Sequence, residues 1–493
     1  MYTQLPHTLY NQQAIKTLEQ LAVSQLNITE YTLMQRAASA AFSCLRANWP
    51  TARRVIVLAG GGNNGGDGFE VARLMHMAGF TVQVLHLGDL SKTKGAALEA
   101  LAACQAAKVS LAPWTPTAEL VADVLIDALL GTGLNETVRG DYARAIMAIN
   151  QSRLPVLALD LPSGIQADTG AVMGYAVHAT VTVTFIGLKQ GLFTHCALDY
   201  SGRVFCDALS LPDELMQQVP ATATRLQLSD SQRLLRPRAP SAHKGNFGHV
   251  LVIGGDFGMA GAVRMAAEAA ARVGAGLVSV ATLPEHIGVV MAGRPELMCH
   301  GVMARLDLTP LLDKATALVI GPGLGQSRWS VDLLNAALGR NLPTVIDADG
   351  LNLLAQQPQH KARWILTPHP GEAARLLQRT VAEVQADRFT SARDMVARFG
   401  GVCVLKGAGT LVAHHDQCTV NTTGNPGMAS GGMGDILSGI IGGLLAQGLD
   451  LMQAAQVGVC LHGAAADLAA KSGQRGLLAT DLLPHLRQLV NYK

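Results

Sequence analysis

Two α/β domains follow one another along this chain, the first of them a doubly wound parallel sheet. Three observations predict this. Short apolar runs alternate with segments of helical periodicity in both halves, the pattern of βαβ units and of a mostly parallel sheet covered on both faces. Many of these runs end in glycine together with aspartate, and the carboxyl edge of such a sheet is where ligands collect. Between residues 211 and 244 the periodicity fades into a basic stretch carrying Pro212, Pro220, Pro237 and Pro240, which places a boundary between domains 1–218 and 225–493.

Taken in order, the first domain opens with a helical stretch over 11–49, where Ile15, Leu18, Leu21 and Ala22, then Leu33, Met34 and Ala37, recur at helical spacing. Strands are expected at 55–58, 82–85, 124–126, 156–159 and 181–185. The second domain repeats the alternation with strands at 249–253, 276–280, 317–320, 343–346, 363–366 and 402–405. Two helices rich in alanine and glycine, over 435–447 and 451–471, close it. Strand spacing and loop signatures differ between the halves, which reads as a fusion of two folds rather than a duplication.

The 493 residues are 49% hydrophobic and 15% charged, which suits tightly packed α/β layers and excludes disorder. Lys+Arg 38 against Asp+Glu 36 leaves a formal charge of +2, so there is no electrostatic case for nucleic acid or an anionic membrane. The eight cysteines include no CxxC pair and read as buried thiols of a reducing compartment. The start has no basic segment leading into an apolar core, and no apolar run is long enough to span a bilayer. A cytoplasmic enzyme acting on small molecules is expected.

Gly60-Gly61-Gly62-Asn63-Asn64-Gly65-Gly66-Asp67-Gly68 follows a strand and is expected to open a helix over 69–77, as a phosphate or dinucleotide loop does. The spacing of hydride-transfer enzymes fits only by force, and no acid ends the next strand, so a dehydrogenase is disfavoured. Asn63 and Asn64 offer amide groups to a ligand or a weakly held monovalent cation, or simply shape the turn. Asp127-Ala128-Leu129-Leu130-Gly131-Thr132-Gly133-Leu134 and Asp160-Leu161-Pro162-Ser163-Gly164 are two further polar strand ends. A single Asp at such a place is commonly a helix cap, but three in one domain converge on one sheet edge.

This set, with Lys189-Gln190-Gly191-Leu192, resembles the N-terminal domain of the NAD(P)H-hydrate epimerases over roughly residues 10–215. The resemblance implies a Rossmann-like α/β/α sandwich that interconverts the R and S forms of NADHX and NADPHX, nicotinamide cofactors damaged by hydration. It implies that Asn63, Asn64, Gly65, Gly66 and Asp67 hold the dinucleotide together with Gly131, Thr132, Gly133, Leu134, Asn135, Glu136 and Thr137. Tyr142 would also contact the ligand, and Asn64, Asp127 and Ser163 would coordinate potassium. Asp160 would face the altered ring as acid and base.

In the second half, Gly424, Gly427, Gly431, Gly432 and Gly434 free the backbone to turn its N–H groups around an anion at the start of a helix. Asp435, directly after the last glycine, can take a proton from a hydroxyl held beside a phosphate. Lys406-Gly407-Ala408-Gly409-Thr410 offers amides and a cation to a nucleotide phosphate, or is only a strand-ending turn. His369 lies in a loop between Pro368 and Pro370. Asp347 and Asp349 could ligate a metal, but solvated helix-capping acids are the stronger expectation.

Together with His243-Lys244-Gly245, residues 254–261 and the GPGLG, DADGLN and TPHPGE segments, these motifs resemble the ADP-dependent NAD(P)H-hydrate dehydratases, of ribokinase-like fold, over roughly 225–490. The resemblance implies that Asp435 activates the hydroxyl of the hydrated ring, that ADP phosphorylates it, and that phosphate leaves as NAD(P)H re-forms. Magnesium is expected with the nucleotide, Lys406 to Thr410 and Gly434 as its binding residues, and Ala262, Gly325, His369 and Asp435 as those facing the hydrated cofactor. A homo-oligomer is expected. Two alternatives stay open: an ordinary small-molecule kinase in the second half, and a non-catalytic dinucleotide-sensing or protein-binding module in the first.

Overall fold

The structure, a computed structural model, describes residues 5–491, and the chain divides into two compact units that meet in sequence between Thr224 and Arg225. Seven parallel strands form the sheet of the first, in the order Ser110–Pro113, Thr81–His86, Arg54–Ala59, Val124–Ala128, Val156–Leu159, Val181–Phe185 and Arg203–Asp207. The chain winds outward in one direction from Arg54–Ala59 and then returns to wind in the other. The order therefore reverses between Arg54–Ala59 and Val124–Ala128, the crevice where doubly wound sheets take their ligands.

The glycine loop behaves differently from the expectation. It does not precede a helix starting at 69; the helix is Asn63–Met77, so Asn63, Asn64, Gly65, Gly66 and Asp67 form its first turns. A Cβ at Gly65 would stand 1.9 Å from the Gly60 carbonyl oxygen, so the missing side chain lets the helix begin directly against the strand end. The expected helical stretch over 11–49 is two helices, Gln12–Leu26 and Glu30–Asn48. Asn27, in the left-handed region with φ 50°, ends the first, and the Thr29 hydroxyl accepts from the Thr32 N–H to start the second.

The stretch without periodicity is not bare linker either. Ala223–Arg225 pairs antiparallel with Thr8–Tyr10, which pairs in parallel with Leu188–Lys189. That small ladder sets Lys189 opposite Tyr10 and leads into the helix carrying Glu19.

The second unit carries parallel strands Met298–Gly301, Leu277–Thr282, His249–Ile253, Ala317–Ile320, Thr344–Ile346, Trp364–Leu366 and Val402–Leu405 in that order. Leu411–His414 and Gln417–Val420 then add antiparallel. Its reversal lies between His249–Ile253 and Ala317–Ile320. The helix Met433–Ala446 packs on the sheet beside the helix Ala260–Arg272. Its glycines permit this: a Cβ at Gly439 would stand 2.0 Å from the Ala266 carbonyl oxygen. No helix among the described residues is long and apolar enough to cross a membrane.

Gly439→Ala should force these two helices apart and lower the unfolding free energy by about 1–3 kcal/mol, the usual range for overpacking. Urea melts of the two proteins measure it, and coincident curves would show that the close approach is dispensable.

Candidate active sites

In the first unit the three polar strand ends interlock. Asp127, at the end of Val124–Ala128, is fully buried; its carboxylate accepts from the Ser163 N–H at 2.7 Å, the Ser163 hydroxyl at 2.5 Å and the Leu129 N–H at 3.2 Å. The Ser163 Oγ in turn accepts from the Leu130 N–H at 2.8 Å, and Asn64 Nδ2 donates to the Leu130 carbonyl at 3.0 Å. One peptide therefore ties Asn64 to Ser163. The Oδ1 of Asn64 is buried with no hydrogen-bond partner. An orphaned amide oxygen beside a carboxylate and a hydroxyl is a donor set suited to a weakly hydrated cation. Burial pushes the Asp127 carboxyl up to about 6 against the opposing hydrogen bonds from Ser163 and Leu129.

Asp160 stands at the neighbouring strand end with φ 64°, a left-handed conformation uncommon outside glycine. Its Oδ1 accepts from Thr184 Oγ1 at 3.1 Å and the Phe185 N–H at 3.2 Å, and it pairs with the ammonium of Lys189. Lys189 is 1% exposed and also donates to the Phe185 carbonyl at 2.8 Å. Asp67 faces the same pair. Burial raises its carboxyl well above the usual range, Asp160 and Glu19 add to the rise, and Lys189 opposes it. Glu19 is raised too, by desolvation first, with Lys189 lowering it and Asp160 raising it.

The remaining residues expected here follow the second strand end. Thr132, Gly133, Leu134, Asn135, Glu136 and Thr137 form an irregular, largely open loop after the second strand end, with Gly131 against the Asn64 side chain. Tyr142, on the helix Gly140–Ser152, packs against the apolar cluster under this edge, its hydroxyl 3.7 Å from where a Cβ at Gly88 would stand.

The second unit gathers its charge around one ammonium. Lys406 Nζ lies 2.8 Å from Asp347 Oδ1 and 3.8 Å from Glu372 Oε2, and a Cβ at Gly434 would stand 3.3 Å from Nζ. Desolvation lowers the Lys406 pKa, but Asp347, Glu372 and Asp435 outweigh it and hold the group above its ordinary value. Asp435, in the first turn of Met433–Ala446, is pushed up to about 7 by burial and by Asp347 and Asp349, with Lys406 opposing. Glu372 is also pushed up to about 7, by burial and Asp347, against Lys406 and the His369 N–H.

His369 Nδ1 accepts from the Gly371 N–H at 3.0 Å and the Glu372 N–H at 3.4 Å, capping the helix Pro370–Leu377. The ring proton therefore belongs on Nε2, which is 3.4 Å from Glu372 Oε1. Burial, Lys406 and Arg375 lower the His369 pKa, against Asp347.

Asp347 departs from the solvated-cap expectation: it occupies the N-cap position of Ala348–Gln356 but makes no side-chain cap bond, is 1% exposed, and pairs with Lys406 instead. Asp349 accepts from the Gly325 N–H at 2.9 Å, which ties Gly325 to the cluster, and Ala262 lies beside Gly323 of the same loop. Gly407 and Ala408 are exposed, Gly409 and Thr410 partly so, and Thr410 Oγ1 closes the turn on the Gly407 carbonyl at 2.9 Å. Among the described residues, no three His, Cys, Asp or Glu side chains converge to hold a metal ion.

Sequence reasoning named Lys189 only as part of a motif and gave no role to Glu19 or Glu372. The His369-x-x-Glu372 capping spacing was a usable signal for the last. Nothing local marks Glu19, which reaches Asp160 through the ladder that seats its helix.

The family described as YjeF-related protein N-terminus matches residues 30–191, and that described as NAD(P)H-hydrate dehydratase matches 250–488. The bifunctional NAD(P)H-hydrate repair enzyme Nnr of Coxiella burnetii is 54% identical over 98% of this chain and 99% of its own. The chain belongs to the bifunctional NAD(P)H-hydrate repair enzyme family. The Escherichia coli member is 46% identical over 99% of this chain and 95% of its own. A ribokinase-like superfamily protein from Enterococcus faecalis superposes with a TM-score of 0.51 at 31% identity, covering 54% of this chain and 94% of its own. The fold is thus a doubly wound domain followed by a ribokinase-like one, and the family makes this chain a bifunctional enzyme.

A carboxyl raised on folding contributes stability that is complete below its unfolded value and is lost as pH rises through the folded value, here between about 4 and 7 for Asp435. Asp435→Asn should therefore gain stability relative to wild type as pH rises across that window. Urea melts from pH 4 to 8 measure the difference, and a constant offset would show that Asp435 is not held in a charge-repelling site.

Proposed function

We propose that the first unit epimerises R- and S-NAD(P)HX and that the second dehydrates the S form to NAD(P)H with ADP, releasing AMP and phosphate. The observation that carries the second half is Asp435, a carboxyl near neutrality at a glycine-rich helix start. A base poised near the working pH takes a proton most effectively. The sequence of events is then balanced. Asp435 accepts the ring hydroxyl proton, the oxygen attacks the terminal phosphorus of ADP, and AMP departs. Loss of a ring proton then expels phosphate and restores the double bond. Phosphorylation converts hydroxide, a poor leaving group, into a good one. Residues 407–410 would cradle the nucleotide, with Ala262, Gly325 and His369 against the hydrated cofactor. Magnesium would come bound mainly by the nucleotide's phosphate oxygens.

In the first unit, reversing configuration beside the ring nitrogen requires reversible loss of the hydroxyl or ring opening. Asp160, fixed by Lys189, Thr184 and the Phe185 N–H, would move that proton. Asn63 to Asp67, residues 131–137 and Tyr142 would hold the dinucleotide. Asn64, Asp127 and Ser163 would hold potassium, which would supply a fixed positive charge beside the ligand. We further propose a cytoplasmic homo-oligomer, consistent with the reduced cysteines and the absence of a membrane-crossing helix among the described residues. An ordinary kinase in the second unit would leave the first without a role.

Asp160→Ala should abolish epimerisation and leave S-NADHX dehydration intact, whereas Asp435→Asn should lower dehydration kcat by roughly 10²- to 10⁴-fold with little change in ADP affinity. NADH absorbance reads dehydration, and chromatographic separation of the R and S forms reads epimerisation. Equal loss of both activities in either folded variant would remove the two-site reading.

Exchanging potassium for tetramethylammonium should weaken epimerisation alone, because the larger ion cannot sit between Asn64, Asp127 and Ser163. Unchanged epimerisation rates would leave those residues without a cation.

A further inference from the structure

The glycine-rich loop after the strand His249–Ile253 lies at the topological reversal of the second sheet, and its base is fastened on both sides. The Gly254 N–H donates to the Ala281 carbonyl at 3.1 Å, the Gly255 N–H to Pro322 at 3.0 Å and the Asp256 N–H to Gly323 at 2.6 Å; the Thr282 hydroxyl donates to the Gly255 carbonyl at 2.8 Å. The tip is held by bonds within the loop, from the Phe257 N–H to Asp256 Oδ1 at 2.7 Å and from the Met259 N–H to the Asp256 carbonyl at 2.8 Å. Gly258, with φ 80°, has nothing within 4 Å of where a Cβ would stand. Phe257 between them is 84% exposed, the most exposed large hydrophobic side chain among the described residues, and Met259 is 50% exposed beside it.

A lone exposed hydrophobic residue is ordinary on a protein surface. What separates Phe257 is its position. Asp256 Oδ2 lies 2.5 Å from the Cβ position of Gly325, whose N–H donates to Asp349 at 2.9 Å, and Asp349 acts electrostatically on Asp435. The fastened base thus carries Phe257 on a loop beside Gly325 and Asp349, in the crevice where α/β sheets bind ligands. Aromatic rings in such clefts supply apolar area and a stacking face at small conformational cost.

We propose that Phe257 packs on the nicotinamide half of the hydrated dinucleotide and positions it against Asp435. This rests on the dehydratase reading of the second unit. Such packing contributes to binding and not to proton transfer, so the effect belongs in the KM for the hydrate.

Phe257→Ala should raise the KM for S-NADHX about 5- to 100-fold, the range of one lost aromatic stack, while kcat and the KM for ADP stay within about twofold. The same rise should appear with the hydrated reduced mononucleotide, which lacks the adenosine half. F257W should keep a low KM and lose tryptophan emission, relative to wild type, when S-NADHX is added. An unchanged KM in Phe257→Ala, a rise that disappears with the mononucleotide, or no quenching in F257W would each overturn the inference. Absent turnover by wild type would instead remove the dehydratase reading, and the quenching measurement, which needs only binding, would still decide the place of Phe257.

Discussion

Strands buried on both faces leave charged side chains nowhere to stand except at the ends of the sheet, and both units are organised by that constraint. Val57, Leu58, Leu125, Val250, Val319 and Val345 are all inaccessible to solvent. The polar groups that follow these strands, Asn64, Asp127, Asp160, Asp347 and Lys406, therefore collect at one edge. There they are partly desolvated and cannot be left unpaired. Each unit meets that requirement with one lysine: Lys189 against Asp160, and Lys406 among Asp347, Glu372 and Asp435.

The two lysines produce different chemistry because their surroundings differ. Lys189 has one close carboxylate partner, and the same oxygen is fixed by a hydroxyl and a backbone N–H. Lys406 is shared among several carboxylates, with Asp347 in direct contact. One ammonium cannot satisfy all of them, so Asp435 and Glu372 rise to about 7 while Asp347 keeps the pairing. Burial first, and then Asp347 and Asp349 against the single ammonium, bring Asp435 to a value useful for accepting a proton near neutral pH.

How much of this was legible in the sequence follows from how local each feature is. The central strands were readable because burial on both faces writes continuous apolar runs, and Val402–Leu405 falls on its expected bounds. The edge strands were not: Ser110–Pro113, Met298–Gly301 and Arg203–Asp207 are short or only half buried and carry mixed composition. Glycine and aspartate at strand ends marked Asp127, Asp160 and Asp435, since the type and the position are both local. The partners that tune them come from afar. Glu19, on a separate helix, raises the Asp67 carboxyl beside Asp160, and Glu372 lies 34 residues before Lys406, so only the folded topology brings them together.

Glycine-rich segments carried two meanings that sequence alone could not separate. At the helix starts they were read as cradles for anions, and the open positions, Gly61, Gly62, Gly133 and Gly431, with nothing within 4 Å of a Cβ, suit that use. Others are packing devices. Gly65 meets the Gly60 carbonyl, and Gly439 meets Ala266, at separations no side chain tolerates. The packing glycines fix where the helix begins, and the helix start fixes where Asn64 and Asp435 stand. In both units, therefore, the close approach of backbone to backbone is what delivers a polar side chain to the sheet edge.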